Sequence, residues 1–342
     1  MEKIAKLYKR FVFLTLFLSL FLSLGFLLLA TSLASCSGSD FASGSETAEI
    51  PEVSDNGSIS NANGKDDAIG IIVSIPPQAE FSEKIGGEKV SVTVMVPPGA
   101  EPHSYEPSPD QLRAVSKAEA YFKLGSGIEF EITWLDKIIA LNEKMKVFDC
   151  AENIKLIEYS YIRTDPHIWL SVRNAIIISE NICRGLTEID PENSAYYKSN
   201  LNEYVDQLRK LDKKITESLS AVTSSNTYKD TGTQTAGNST GKIMVYHSAW
   251  KYFARDYGLE EISVENFGKE PTIKELEQLI RVARENNIKV IFASPQFSTK
   301  SAEVVAKEIG ADVVLINDLD KNYLVNMEHI AEEFKNSLTG LK

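Results

Sequence analysis

From residue 68 onward the chain alternates short apolar runs with segments whose apolar residues recur every three or four positions. Ala68-Ile-Gly-Ile-Ile-Val-Ser-Ile75 is apolar almost throughout, as expected of a strand buried on both faces. Further strands are predicted at 90–95, 119–124 and 145–149, with helices at 78–86, 108–117 and 129–140. The alternation returns late in the chain, with strands at 242–246, 262–264, 290–293 and 312–316 and helices at 249–256, 272–286, 299–309 and 323–337. This order predicts an α/β protein of two lobes with parallel sheets, 69–189 and 242–342. Between them, Tyr197, Leu201, Tyr204, Leu208, Leu211, Ile215 and Leu219 fall at spacings of three and four, which predicts one long connecting helix over 190–222. Asp190 is its expected N-cap, Pro191 its first residue, and its length about 45 Å. Residues 223–241, rich in Thr, Ser, Gly and Asn, read as a flexible loop that carries a glycosylation-type sequon at Asn238.

The start of the chain follows a different pattern. Lys3, Lys6, Lys9 and Arg10 precede an uncharged stretch over 11–30, and small residues then lead into Leu33-Ala34-Ser35-Cys36. Such an order reads as an export signal over 1–35, the competing reading being an uncleaved membrane helix. The tetrapeptide resembles the bacterial lipobox, which makes Cys36 the expected lipid-attachment residue and 36–68, poor in large apolar side chains, a flexible tether. The mature protein is thus expected outside the cytoplasm, held to the cell membrane by lipid. Removing 1–35 moves the net charge from −12 to about −15, a surface that repels nucleic acid. Of three cysteines, Cys150 and Cys183 remain, and both are expected as buried free thiols.

Candidate chemistry lies in the histidines. Three of the four, His103, His167 and His247, follow predicted strands, and Asp318 follows the strand 312–316. Ligands of open α/β sheets bind at the carboxyl ends of strands. Three imidazoles and a carboxylate suit tetrahedral zinc. Separations of 64, 80 and 71 residues do not by themselves bring these four together, and three independent loop histidines fit the spacing as well. His329, inside the last predicted helix, is expected to face solvent.

Four stretches carry a family resemblance: Gly99-Ala-Glu-Pro-His-Ser-Tyr-Glu-Pro107, Asp165-Pro-His-Ile-Trp-Leu170, His247-Ser-Ala-Trp-Lys-Tyr-Phe253 with Tyr257-Gly-Leu259, and Ile291-Phe-Ala-Ser-Pro-Gln-Phe297. With them the chain resembles the metal-binding solute receptors of zinc and manganese ABC transporters, the cluster A-I or zinc-uptake type. The resemblance spans about 69–340. It implies a metal site in the cleft between the lobes, with His103 and His167 from the first lobe and His247 and Asp318 from the second. The segment Asn317-Asp318-Leu319-Asp320 also offers Asp320 as an oxygen donor. Histidine at 247 favours zinc, with manganese as the alternative. Ser171 and Ser294 stand where an acid is frequent in the family. The implied protein is a monomeric receptor serving a membrane permease and not an enzyme; a manganese or iron receptor, an adhesin and, from another class, a zinc hydrolase are the alternatives.

Overall fold

Each lobe is built on a four-stranded parallel sheet, and the two sheets share one strand order. A computed structural model describes residues 68–160, 163–223, 241–265 and 269–340. The expected export signal, Cys36, nearly all of the tether and Asn238 lie outside the described residues. In the first lobe β1 (Ile69–Val73), β2 (Val90–Val94), β3 (Ala120–Lys123) and β4 (Lys146–Asp149) are ordered β2-β1-β3-β4. In the second, β7 (Gly241–Val245), β8 (Leu259–Ser263), β9 (Val290–Ala293) and β10 (Asp312–Leu315) are ordered β10-β9-β7-β8, the same arrangement read from the other edge. The chain reverses its direction of travel across the sheet beside β1 and beside β7. At such switch points the loops after the strands part and leave a crevice.

Side-chain alternation explains the continuous apolar runs. Ile71 and Val73 face one core together with Phe81 and Ile85 of helix α1 (Pro76–Gly86). Ile72 and Tyr121 face another, with Val115 of α2 (Pro109–Val115) and Ile138 of α3 (Glu129–Leu141). Both faces are covered, so Ile71, Ile72 and Val73 of the central strand are all apolar. The second lobe repeats this: Ile243, Val245 and Phe292 join the first core, while Met244, Ile291 and Ala293 pack beneath α7 (Ile273–Glu285) and α8 (Lys300–Ile309). The helices begin where local chemistry favours a start. Ser108 and Gln111 form a reciprocal capping box at α2, as do Thr272 and Glu275 at α7.

The long helix α5 spans Ser194–Thr223, 30 residues, with Tyr197, Tyr204, Val205, Leu208, Leu211, Ile215 and Leu219 buried. It is bonded to both lobes. Tyr204 Oη donates to Glu80 Oε1 (2.8 Å), and Asp212 Oδ1 accepts from Tyr257 Oη (2.9 Å) on α6 (Lys251–Tyr257). One hydrophobic core therefore runs from the first lobe through α5 into the second. Asp190 ends α4 (Val172–Ile189), its N–H bonded to Leu186 O, and is at the same time the N-cap of a 3-10 turn, Pro191–Asn193, that leads directly into α5 at Ser194. The Asp190 carboxylate accepts from Tyr197 Oη (2.6 Å) and Asn193 Nδ2 (2.7 Å).

Helix α4 takes up the apolar helical pattern around Cys183, for which no bounds were predicted, with Val172, Ala175, Ile178, Ile182 and Leu186 forming a buried stripe at helical spacing. It lies close against the sheet: a Cβ on Gly185 would come within 2.5 Å of Phe122. Strand β8 starts three residues earlier than predicted because Glu260 and Glu261 break the apolar pattern, which an edge strand tolerates. A small antiparallel pair, β5 (Glu158–Ser160) and β6 (Arg163–Thr164), shapes the approach to His167. Cys150 and Cys183 are buried and free. Among the described residues no helix is long and apolar enough to cross a membrane.

Candidate metal centre

The loops after the strands converge at one point between the lobes, and each is held there by its own hydrogen bonds. His103 lies in the loop between β2 and α2, where Gln111 Nε2 donates to the Val94 and Met95 carbonyls (2.8 and 2.7 Å) and Gln111 Oε1 accepts from Tyr105 Oη (2.9 Å). His167 follows β6. Ser126 Oγ donates to Pro166 O (2.5 Å) and Tyr252 Oη to Asp165 O (2.9 Å), so both lobes fix this loop. His247 comes two residues after β7, and Asp318 follows β10 after Ile316 and Asn317.

One nitrogen from each of His103, His167 and His247 lies within 4.8 Å of the others. His167 Nε2 and His247 Nε2 are 3.1 Å apart. Every Nδ1 faces a carboxylate: His103 lies 2.9 Å from Glu129 Oε2, His167 2.9 Å from Asp165 Oδ1, and His247 2.5 Å from Glu265 Oε1. A carboxylate on Nδ1 keeps the proton there and turns the Nε2 lone pair inward. Two lone pairs aimed at each other across 3.1 Å repel unless a cation sits between them. Tetrahedral zinc, at about 2.0–2.1 Å from nitrogen, holds its donors about 3.3–3.4 Å apart. The spacing fits.

Asp318 lies beside this group. It is 4% exposed, it lines the same small cavity as the histidines, and its Oδ1 is buried with no hydrogen-bond partner. A buried carboxylate oxygen left unpaired is costly unless a cation compensates it. Its backbone carbonyl accepts from Trp169 Nε1 (2.7 Å), and Asn317, bonded to Gln296 Nε2 (2.7 Å) and Asn326 Nδ2 (2.6 Å), fixes the segment from the other side. Both Asp320 oxygens are engaged elsewhere. Oδ1 accepts from Asn322 N (2.8 Å) just before α9 (Tyr323–Thr339), and Oδ2 accepts from Asn317 Nδ2 (3.3 Å). His329, on α9, has a side chain 60% exposed and stands apart from the cluster. The structure thus gathers His103, His167 and His247 within 4.8 Å of one another, with Asp318 lining the same cavity. Ser171 caps α4, its Oγ accepting from Asn174 N (3.0 Å) while donating to Asp256 Oδ2.

Sequence reading missed Glu129, Asp165 and Glu265 as partners of the histidines. Like the histidines, Glu129 and Glu265 come shortly after strands, which is the one signal that could have found them.

The cavity measures about 10 Å³ and is walled, besides these four residues, by Pro102, Ile128, Trp169, Phe297 and Leu319. It has room for one ion and none for an organic substrate. Burial pushes the His103 pKa down, but Glu129, with Glu101 and Glu265 nearby, outweighs it and leaves that value above the ordinary 6.5. Burial correspondingly raises Glu129, and His103 outweighs it to hold the carboxyl below its ordinary range.

A pH dependence follows. Metal needs neutral imidazole, so affinity is complete above the His103 pKa and falls as pH drops through it. In the metal-free protein the sign is opposite: the stability that protonated His103 gains from Glu129 is present below 6.5 and is lost as pH rises through the raised value. Glu129→Gln is expected to move the acid limb of zinc binding to lower pH while weakening binding at neutral pH by roughly 10–100-fold. Zinc titrations from about pH 5 to about pH 8 test this, and coincident acid limbs in parent and variant would refute it.

The profile of one protein family, described as ZnuA, zinc-uptake complex component A, periplasmic, matches residues 71–337. The chain belongs to this family. Within the zinc-uptake family, the crystal structure of a ZnuA is 41% identical and superimposes with a TM-score of 0.73, covering 80% of this chain and all of the other. The high-affinity zinc uptake system protein ZnuA of Bacillus subtilis (strain 168) is 27% identical over 276 residues, 76% of this chain and 81% of that protein. The manganese ABC transporter substrate-binding lipoprotein PsaA of Streptococcus mitis is 26% identical over 262 residues, 72% and 80% of the two chains. The family is one of transporter receptors and not of enzymes.

Proposed function

We propose that this chain is an extracytoplasmic receptor that captures one zinc ion with His103, His167, His247 and Asp318 and delivers it to the permease of an ABC transporter. The observation that carries this reading is the clustering of His103, His167 and His247, one nitrogen of each within 4.8 Å of the others, in a small cavity also lined by Asp318, whose buried Oδ1 has no hydrogen-bond partner. Three nitrogens and one oxygen close a tetrahedral shell, as suits a carried ion; a catalytic zinc keeps a position open for water. A cavity of about 10 Å³ adds to the case against a hydrolase. Histidine at 247 supports zinc over manganese, since manganese favours carboxylate and water.

Metal analysis of the mature body, purified without chelators, is expected to give one zinc per chain. In competition with equimolar manganese, zinc is expected to be retained. More than one tightly held ion, or preferential loading with manganese, would overturn the reading. The receptor acts as a monomer on a lipid anchor at Cys36. Cys36→Ala is expected to release it to the soluble fraction or leave the precursor unprocessed; a membrane-bound variant of normal mature size would exclude this anchor.

A further inference from the structure

Both histidines of the first lobe are steadied from one short stretch, residues 124–131, which joins β3 to the first turn of α3. On it, Glu129 meets His103 Nδ1 at 2.9 Å. Ser126 Oγ donates to the carbonyl of Pro166, the residue before His167, and Ser126 O accepts from Thr164 Oγ1 (3.0 Å). Ile128 forms part of the cavity wall. A single side chain clasps the two ends of this stretch together. Glu131 Oε1 accepts from Leu124 N (2.5 Å) and Glu131 Oε2 from Gly125 N (2.9 Å), while Ser74 Oγ, just past the end of β1, also donates to Oε1. Tyr121 Oη lies 2.9 Å from Ser74 Oγ. Gly125 and Gly127, at φ of 78° and 92°, let the chain turn sharply within the clasp. Glu131 is 6% exposed and is not among the residues lining the cavity.

We propose that Glu131 is a positioning residue for metal binding: by clasping Leu124 and Gly125 to the first turn of α3, it sets Glu129 against His103 and Ser126 against the loop of His167. This inference rests on the zinc-receptor reading given above. Burying a carboxylate is a costly way to close a loop, since apolar side chains of similar volume often hold a fold equally well. What the carboxylate adds is direction, because three donors on two oxygens fix the path of the loop between them. A partner that orients a ligating imidazole is worth about 10–100-fold in metal affinity. Glu131 stands one step further out and serves two imidazoles, one through Glu129 and the other through Ser126. Glutamine cannot take its place, because in either orientation the NH2 faces a backbone N–H and leaves that donor unpaired.

In the mature receptor, Glu131→Gln is expected to weaken zinc binding about tenfold at temperatures where parent and variant both stay folded. Asn142→Ala is the control. Asn142 Nδ2 donates to the Val115 and Ala118 carbonyls (3.0 and 2.8 Å) at the far end of α3, so its loss costs stability and is expected to leave zinc affinity unchanged. Because Glu131 acts partly through Glu129, the two effects overlap: in a Glu129→Gln background the Glu131→Gln change is expected to cost no more than about threefold. Ser74→Ala, which removes one donor from the clasp, shifts affinity the same way by less and serves should Glu131→Gln not fold. Zinc titration against an indicator reads the affinities, and denaturant unfolding of the metal-free proteins reads the stabilities. Parental affinity in the folded Glu131→Gln and Ser74→Ala variants would overturn the proposal. An undiminished loss on top of Glu129→Gln, or an equal loss in Asn142→Ala, would overturn it too, since either marks a general loosening of the lobe. If the parent binds no zinc, or His167→Ala binds it as tightly as the parent, the reading of the site itself fails, a result seen without any change to the clasp.

Discussion

Replacing His167 by alanine is expected to weaken zinc binding on the order of a hundredfold or more, and His247→Ala equally. Four-ligand structural zinc sites bind with roughly 10–16 kcal/mol, so one ligand accounts for about 3 kcal/mol, or roughly two powers of ten. Both rings are buried, at 5% and 6% exposure, and each is held by a carboxylate at Nδ1, so no neighbouring side chain can swing in to replace the lost nitrogen. The loss also removes stabilisation: an ion at about 100 times its dissociation constant stabilises the native state by about 2.7 kcal/mol, and that increment should shrink in both variants. His329→Ala is the control, because its side chain is exposed on α9. Titration against a zinc indicator, with thermal melts at matched zinc, measures both effects. Equal affinity for His167→Ala and His329→Ala would remove the three-histidine cluster as the site.

Trp169→Ala is expected to cost about 3–5 kcal/mol of stability and to weaken zinc binding as well. The indole is 1% exposed, its Nε1 donates to Asp318 O (2.7 Å), and the Trp169 carbonyl accepts from Tyr323 Oη (2.8 Å). It stands two residues from His167, and the ring centroids are 5.2 Å apart. One side chain thus ties the His167 loop of the first lobe to the Asp318 segment of the second. Trp169→Phe separates packing from bonding: it keeps an aromatic ring but leaves the Asp318 carbonyl without its donor, at a cost of about 1–3 kcal/mol. Denaturant unfolding reads the stability of the metal-free protein, and zinc titration the site. If Trp169→Phe unfolds like the parent and binds zinc as tightly, Trp169 does not tie the two segments together.

Much of the fold was legible because burial on both faces leaves an unbroken mark on sequence. Ile69–Val73 and Val290–Ala293 could be read as strands from apolar continuity alone. The edge strand Leu259–Ser263 was only half legible, since an edge position admits Glu260 and Glu261. Asp190 with Pro191 was legible as a helical start, but only the close succession of α4, the 3-10 turn and α5 shows that Asp190 also ends the preceding helix.

For the site, the sequence by itself determined the inventory: three histidines and an aspartate, each in a loop after a strand, together with the motifs that carry the family resemblance. Whether those side chains meet was decided only by the tertiary structure, because separations of 64, 80 and 71 residues hold no distance until the two sheets are set against α5. Tertiary structure alone also distinguishes Asp318 from Asp320, leaving the buried Oδ1 of the first without a hydrogen-bond partner and committing the oxygens of the second to Asn322 and Asn317. It brought Glu129, Asp165 and Glu265 to the histidine rings and laid Phe297 across them. The physical reason is range. Strand and helix patterns are local and repeat along the chain, whereas the shell around an ion is fixed by contacts between segments that only packing brings together.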